Sequence, residues 1–480
     1  MGLVETETSK PRSGTKALYG LGAAGESVFG TAVGFIFFYY TAALGLPGSL
    51  VGTALFFGLC ADAIVDPFFG SWSDNIRSKL GRRVPLMLIG GPLLAISMAL
   101  LFMPPEGLGD VGTAVWLGAW SVAVRTFVSM FHVPYVALGA EMSRDYHERS
   151  SVVAWRTVFG ILAGVITTAI AYTVYFSGEG GLQQADRYPG FGWTVAAMIL
   201  VGCGVSALGL IRFASRLPAP EPVSRPLLAR LPGELIEIFR NPSFRLLFLA
   251  ALLCYTAIGV NSAYNSHVYV FVWKLRPDTI QFIAYSLLVG VLVGAGIAPR
   301  LAHRFEKKTV VIMGMALVVV VWLLLSLPRA AGLVAASGDA ALAYLCPLIF
   351  FAGIGAGFCA IAYPSMMADA ADEHEHLFDR RREGLYFAGL GFAFKAANGL
   401  GVLVAGFTLD LIGFPKDAGR QIGATLPEDL LDRLLLMWTP VPAIFTTAAI
   451  LVFAGYSISK SRHAEIARAL QAREQAQPAE

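Results

Sequence analysis

Twelve stretches of about 20 apolar residues, each nearly empty of charge, recur along this chain, and no other feature limits its fold so sharply. Hydrocarbon offers a backbone no hydrogen-bond partner, so each stretch must close its own bonds as a helix. The runs lie near 17–41, 49–73, 85–104, 113–141, 152–176, 191–213, 244–273, 278–300, 309–327, 340–366, 384–411 and 432–457. A barrel would need short alternating strands, and these runs are long and continuous. Composition agrees, with 56% apolar and 14% charged residues, where a soluble domain carries roughly 25% charge. The expected fold class is an all-α membrane protein of twelve transmembrane helices.

Basic residues set the expected orientation. With both termini cytoplasmic, the cytoplasmic segments and the run ends beside them hold 26 of the 36 Lys+Arg, and the opposite side, counted the same way, holds 7. That asymmetry suits an even number of crossings. The N-terminal residues 1–16 are polar, lack an apolar core and do not read as a signal peptide. No Asn-x-Ser/Thr acceptor occurs, because Asn241 precedes Pro242. A bacterial inner (cytoplasmic) membrane is the expected location. The net charge of +3 suggests no nucleic-acid partner.

The chain reads as two related halves. The proline-rich segment 214–243 separates an N-terminal six-helix half, 1–213, from a C-terminal half, 244–457, with a cytoplasmic tail at 458–480. Span two ends Gly70-Ser-Trp-Ser-Asp74 before Arg77, Lys79, Arg82 and Arg83. Span eight ends Gly296-Ile-Ala-Pro-Arg300 before Arg304, Lys307 and Lys308. Span four closes on Pro134-Tyr135 and span ten on Tyr363-Pro364, each followed by an expected loop of mixed charge. Repeated halves of this kind mark transporters that hold substrate near mid-membrane.

A charge at mid-bilayer costs about 2.5 kcal/mol or more, so each one requires a reason. Glu26, Asp62, Asp66, Arg125, His132, Arg156, His267 and Lys395 all fall inside apolar runs. Asp62 and Asp66 are four apart and share a helical face. Two carboxylates so placed repel unless a cation lies between them. They are the expected cation site, with a structural pair neutralised by Lys395 or Arg156 as the alternative. Lys395 is too deep in its span to snorkel easily and is expected to act in coupling or substrate binding. His132 and Glu26 are candidates for substrate, or for ordinary core pairing. Arg125 and Arg156 read first as partners for carboxylates. The run Asp372-Glu-His-Glu-His376 has the composition of a metal tract, but its place beside Arg380, Arg381 and Arg382 favours a solvated charge cluster in a loop. Asp74, with the arginines after it, is expected to clamp helix ends. The five cysteines, Cys60, Cys203, Cys254, Cys346 and Cys359, share no ligand spacing and read as small core hydrophobes.

The stretch Asp62-Ala-Ile-Val-Asp66-Pro-Phe-Phe-Gly70, continued by Ser73-Asp-Asn-Ile-Arg77-Ser-Lys-Leu-Gly81-Arg-Arg83, resembles the signature of the glycoside–pentoside–hexuronide:cation symporters. That family belongs to the major facilitator superfamily. Pro134-Tyr135 through Trp155-Arg156 and Arg381-Arg-Glu-Gly-Leu-Tyr386 on to Lys395 fit it too. The resemblance implies the major facilitator fold and a coupling cation at Asp62 and Asp66, with Ser129 contributing a hydroxyl and Lys395 the span-eleven lysine. Sodium is the expected ion and a proton the alternative; no other cofactor or metal is expected. Val65 stands where members often carry a polar residue. The sugar-binding positions depart further, with Ser27 at the span-one carboxylate, Glu26 one residue out of register, His132 in span four and Val136 for an aromatic. Phe131-His-Val-Pro-Tyr135 is instead similar to span four of the sodium-dependent lysophosphatidylcholine symporters.

The resulting expectation is a monomeric, cation-coupled secondary symporter working by alternating access. Its substrate is a lysophospholipid or similar amphiphile, with Lys395, His132, Glu26, Ser27 and Arg156 as substrate or coupling residues. A sugar or glycoside symporter is the alternative. A lipid scaffold without transport is the rival from another class, and the costly buried charges argue against it. The sequence holds no His-rich helical pair, nucleophile elbow or phosphate loop, so it is not read as an enzyme.

Overall fold

The computed structural model describes residues 11–143, 145–217, 233, 236–380, 382–416, 418–419 and 426–476. Among them every regular element is a helix. Twelve are long and apolar enough to cross a membrane: α1 (Ser13–Ala43), α2 (Gly48–Asn75), α3 (Val84–Leu101), α4 (Gly109–Glu141), α5 (Glu148–Tyr175), α6 (Ala185–Ala214), α7 (Pro242–Val272), α8 (Pro277–Arg304), α9 (Lys307–Ala330), α10 (Gly338–Phe378), α11 (Glu383–Leu411) and α12 (Glu428–Ala454). A further helix, α13 (Lys460–Ala476), follows. The chain is an all-α, multi-pass membrane protein. Most of the expected linker, 214–243, lies outside the described residues.

Local chemistry sets the helix ends. Asp145 Oδ1 accepts from the Glu148 amide at 2.9 Å ahead of α5, and Asn241 Oδ1 accepts from the Phe244 amide at 3.1 Å ahead of α7. Each side chain satisfies an amide that has no partner within the helix. Pro242 then takes the first helical position, where no amide hydrogen is needed.

Two compact units make up the chain, one of residues Met1–Leu46, Thr53–Ser177 and Gly181–Leu228, the other of Pro47–Gly52, Gly178–Gly180 and Ala229–Glu480. In the first, α1 packs on α5 and α6, and α3 packs on α6 and α4. In the second, α7 packs on α11 and α12, and α9 packs on α12 and α10. These pairings match when each helix number is advanced by six.

The correspondence reaches single atoms. Tyr135 of α4 donates its hydroxyl to the Tyr19 carbonyl of α1 at 2.8 Å, and Tyr363 of α10 donates to the Leu247 carbonyl of α7. The shift that carries Tyr135 onto Tyr363 also carries Tyr19 onto Leu247. It carries Glu141 onto Asp369 as well. Glu141 binds Arg82 at 2.7 Å and Arg83 at 3.0 Å, and Asp369 binds Lys307 at 2.7 Å. In both units a basic residue at or just before the start of the third helix therefore holds a carboxylate of the fourth. Arg83 also reaches Asp74 at 2.6 Å, as expected of a helix clamp, whereas Arg77 is exposed. The first helix of each unit closes alike. Leu46 N–H donates to the Tyr40 carbonyl and Leu275 N–H to the Tyr269 carbonyl, both at 2.9 Å. Gly45 and Lys274 sit in these turns at φ of 79° and 50°.

One sequence expectation fails here. The acidic run 372–376 is no loop, because α10 continues helically to Phe378. Nor is it a solvated cluster, because His374 is fully buried and Glu373 nearly so. His374 faces Glu237, which also binds Arg382, while α13 brings His463 to 3.2 Å from Asp372 and 3.5 Å from Asp369. Charges read as a boundary signal are instead covered by the tail helix. Among the described residues no group of His, Cys, Asp and Glu is arranged to hold a metal. Cys60 also departs from the core reading, since it is exposed.

Candidate cation and substrate site

The first unit draws most of the sequence-selected residues into two adjoining clusters. In one, Asp62 of α2 is almost wholly buried, at 1% exposure. Ser129 of α4 donates its hydroxyl to Asp62 Oδ1 at 3.0 Å, and Arg125, one turn earlier on α4, donates Nη1–H to Oδ2 at 3.3 Å. The same guanidinium lies 5.6 Å over the Phe29 ring of α1 and feels the charge of Asp66 as well. Arg125 is thus an ion-pair partner of Asp62. Val65 turns away and packs near Phe69, Leu86 and Met130. A polar side chain at that position would face apolar neighbours.

In the second cluster, His132 Nδ1 lies 2.5 Å from Glu26 Oε1. The histidine side chain is 41% exposed and the glutamate 15%. Glu26 is therefore the α1 carboxylate that meets α4. Ser27 instead turns toward α5, where a Cβ built on Gly160 would stand 3.0 Å from its hydroxyl. A register read from sequence could not separate these neighbours, because successive helical residues point about 100° apart. Arg156 of α5 lies 5.8 Å over the Tyr135 ring. Tyr19 and Tyr135 stack with centroids 4.4 Å apart. A carboxylate, an imidazole, a guanidinium and two phenol rings thus share one region of this unit.

Lys395 lies half-buried on α11 of the second unit. Near it on that helix, Asn398 offers its backbone to α7, where a Cβ on Gly259 would stand 2.5 Å from the Asn398 carbonyl. His267, also intramembrane, is fully buried and packs its ring near Tyr264 and Phe414.

The chain matches the family described as MFS/sugar transport protein over residues 18–460. It belongs to that family. Relatives span nearly its whole length. The inner membrane symporter YicJ of Escherichia coli is 26% identical, over 92% of this chain and 91% of its own. The sodium-dependent lysophosphatidylcholine symporter 1 of Gallus gallus is 25% identical, over 95% and 89%. The isoprimeverose transporter of Lactiplantibacillus pentosus is 23% identical, over 89% and 84%. Among solved structures, a bacterial homologue of the human lysosomal transporter Spinster aligns with a TM-score of 0.66 at 14% identity, covering 94% of this chain and all of that one. The Escherichia coli xylose transporter XylE aligns with a TM-score of 0.61 at 12% identity, over 94% and 99%. The relatives are transporters, and the chain is a symporter-type member of the major facilitator family, not an enzyme.

Proposed function

We propose that the protein is a cation-coupled symporter of a bacterial inner membrane, with both termini cytoplasmic, working as a monomer by alternating access. The observation that carries this reading is Asp62: a fully buried carboxylate, one turn from a second, held between α2 and α4. A scaffold has no use for such a charge, whereas a symporter needs a site whose charge changes when a cation enters. The coupling cation is sodium or a proton, bound at the Asp62–Asp66 pair beside Ser129, with Lys395 as the coupling lysine.

The substrate we propose is a lysophospholipid or an amphiphile with a similar zwitterionic head. Glu26 offers a negative charge for a quaternary ammonium, and Arg156 with His132 offers donors for a phosphate. Ser27, turned toward α5, adds little to such a head group. The second reading, a glycoside, is supported by the isoprimeverose relative and the stacked Tyr19–Tyr135 pair. Chain length separates the two. Each buried methylene contributes about 0.8 kcal/mol, so lysophosphatidylcholines of increasing length should compete progressively better for the purified protein. Competition by glycosides alone, with no effect of lysolipids, would overturn the amphiphile reading.

A further inference from the structure

Two tyrosines lie between α1 and α4, and two glycines make the room for them. A Cβ on Gly22 of α1 would stand 2.5 Å from Tyr135 Cε2, and one on Gly139 of α4 would overlap the Tyr19 hydroxyl. The rings stack with their planes inclined by 18°, and Tyr135 is fully buried while Tyr19 is 2% exposed. Helix α5 comes equally close. A Cβ on Gly20 of α1 would lie 2.9 Å from the Phe159 ring and 3.1 Å from the Trp155 carbonyl oxygen. Arg156 therefore emerges beside the ring pair, half-buried, with its guanidinium carbon 5.8 Å from the Tyr135 centroid. Among the described residues Arg156 forms no ion pair, so its charge lies on a ring and not on a carboxylate.

The second unit shows which part of this arrangement is common architecture. It repeats the hydroxyl bond, from Tyr363 to the Leu247 carbonyl, with a leucine in the place of Tyr19. Tyr363 stacks instead on Phe453, at 5.8 Å, and among the described residues no cation lies over it. The tyrosine of the fourth helix thus ties the first helix in both units. The ring of Tyr19 and the guanidinium are additions of the first.

Resting on the lysophospholipid reading above, we propose that Tyr135 is a positioning residue that holds Arg156 for the phosphate of the substrate. A guanidinium is planar, so a ring face fixes its tilt as well as its place. Its N–H edge is then left to grip two oxygens of one phosphate. Without the ring the long arginine arm would sample many rotamers, and each binding event would have to order it. Tyr19 backs the platform, because its ring packs on Tyr135 and its carbonyl accepts the Tyr135 hydroxyl hydrogen at 2.8 Å. An ammonium in place of the guanidinium would keep the charge but lose the planar contact and the fork of donors. Tyr135 thereby favours a phosphate without touching it.

The test is binding of two ligands of equal chain length to the purified full-length protein in nanodiscs, a lysophosphatidylcholine and a monoacylglycerol, which has no phosphate. Tyr135→Met, which keeps bulk without a ring, is expected to weaken lysophosphatidylcholine by roughly tenfold and the monoacylglycerol hardly at all. Tyr135→Phe, which keeps the ring, should retain most of the wild-type affinity. Arg156→Lys should lose as much as Tyr135→Met, and the double variant no more than either single. Equal losses for both ligands in Tyr135→Met, or losses that add in the double variant, would overturn the positioning role. Tyr135→Leu takes the place of Tyr135→Met if the latter is not monodisperse. A second readout needs no substrate: the rate at which phenylglyoxal modifies Arg156, followed by mass spectrometry. That rate should be several-fold higher in Tyr135→Met than in the wild type or Tyr135→Phe. If the wild type does not bind lysophosphatidylcholine but this difference appears, the hold of Tyr135 on Arg156 stands and the lysophospholipid reading falls. Equal rates in all three proteins would overturn the proposal itself.

Discussion

Arg125 places Nη1 3.3 Å from Oδ2 of Asp62, and this pair holds together two helices that elsewhere meet through small residues. Breaking one side of a buried ion pair strands the other charge at a cost of about 3–5 kcal/mol, whereas removing both can be nearly neutral. Asp62→Asn should therefore lower thermal stability in detergent markedly, and Asp62→Asn with Arg125→Gln should recover most of the loss. A double variant no more stable than the worse single would show that the two residues are not energetically coupled.

The contact between Glu26 and His132 carries the substrate assignment. Glu26→Gln keeps a hydrogen-bonding shape but removes the charge offered to a quaternary ammonium. Its affinity for lysophosphatidylcholine should fall by roughly tenfold, the worth of one charge-assisted contact. Affinity for an anionic lysophosphatidic acid should fall less. His132→Ala should weaken discrimination between the two head groups more than overall binding. Equal losses for both lipids in Glu26→Gln would remove Glu26 from the head-group site.

Helices α8 and α10 approach backbone to backbone at Gly290 and Gly353, and this contact makes a stability prediction independent of function. Gly353→Ala forces a methyl group against the Leu287 carbonyl, and overpacking of this kind costs about 1–3 kcal/mol. Gly384→Ala, where a Cβ meets nothing within 4 Å, is the matched control and should be neutral or stabilising. Melting curves of the two variants in the same detergent provide the comparison.

Lys274 holds a left-handed conformation that glycine adopts at less cost, at the turn where Gly45 serves in the first unit. Lys274→Gly should be stabilising by about 0.5–1 kcal/mol and Gly45→Ala destabilising by a similar amount or more. A fall in melting temperature for Lys274→Gly would mean that the lysine side chain contributes more there than its backbone costs.

Most of the architecture was legible from sequence, because membrane helices announce themselves by length and apolarity. The boundaries that failed were those set by tertiary cover. Helix α10 runs past its membrane portion because α13 and Glu237 shelter its acidic end, and no local pattern signals a partner so far along the chain. The site was legible in its residue types. Asp62, Ser129, Glu26 and His132 were each picked out by charge or by resemblance, and the structure brings them together in pairs. What the sequence concealed was rotation about the helix axis, which puts Glu26 and not Ser27 toward α4. Arg125 was visible as an intramembrane charge and as a partner for a carboxylate, and the structure pairs it with Asp62.

The most direct measurement of the central claim is accumulation of labelled lysophosphatidylcholine and of labelled glycoside in parallel, in proteoliposomes carrying imposed proton or sodium gradients. The account predicts that one of these substrates accumulates above its equilibrium level when an inward cation gradient is imposed. It also predicts that Asp66→Asn reduces this to equilibration or to nothing. Accumulation in Asp66→Asn equal to that of the wild type, or wild-type movement of substrate that ignores both gradients, would contradict it.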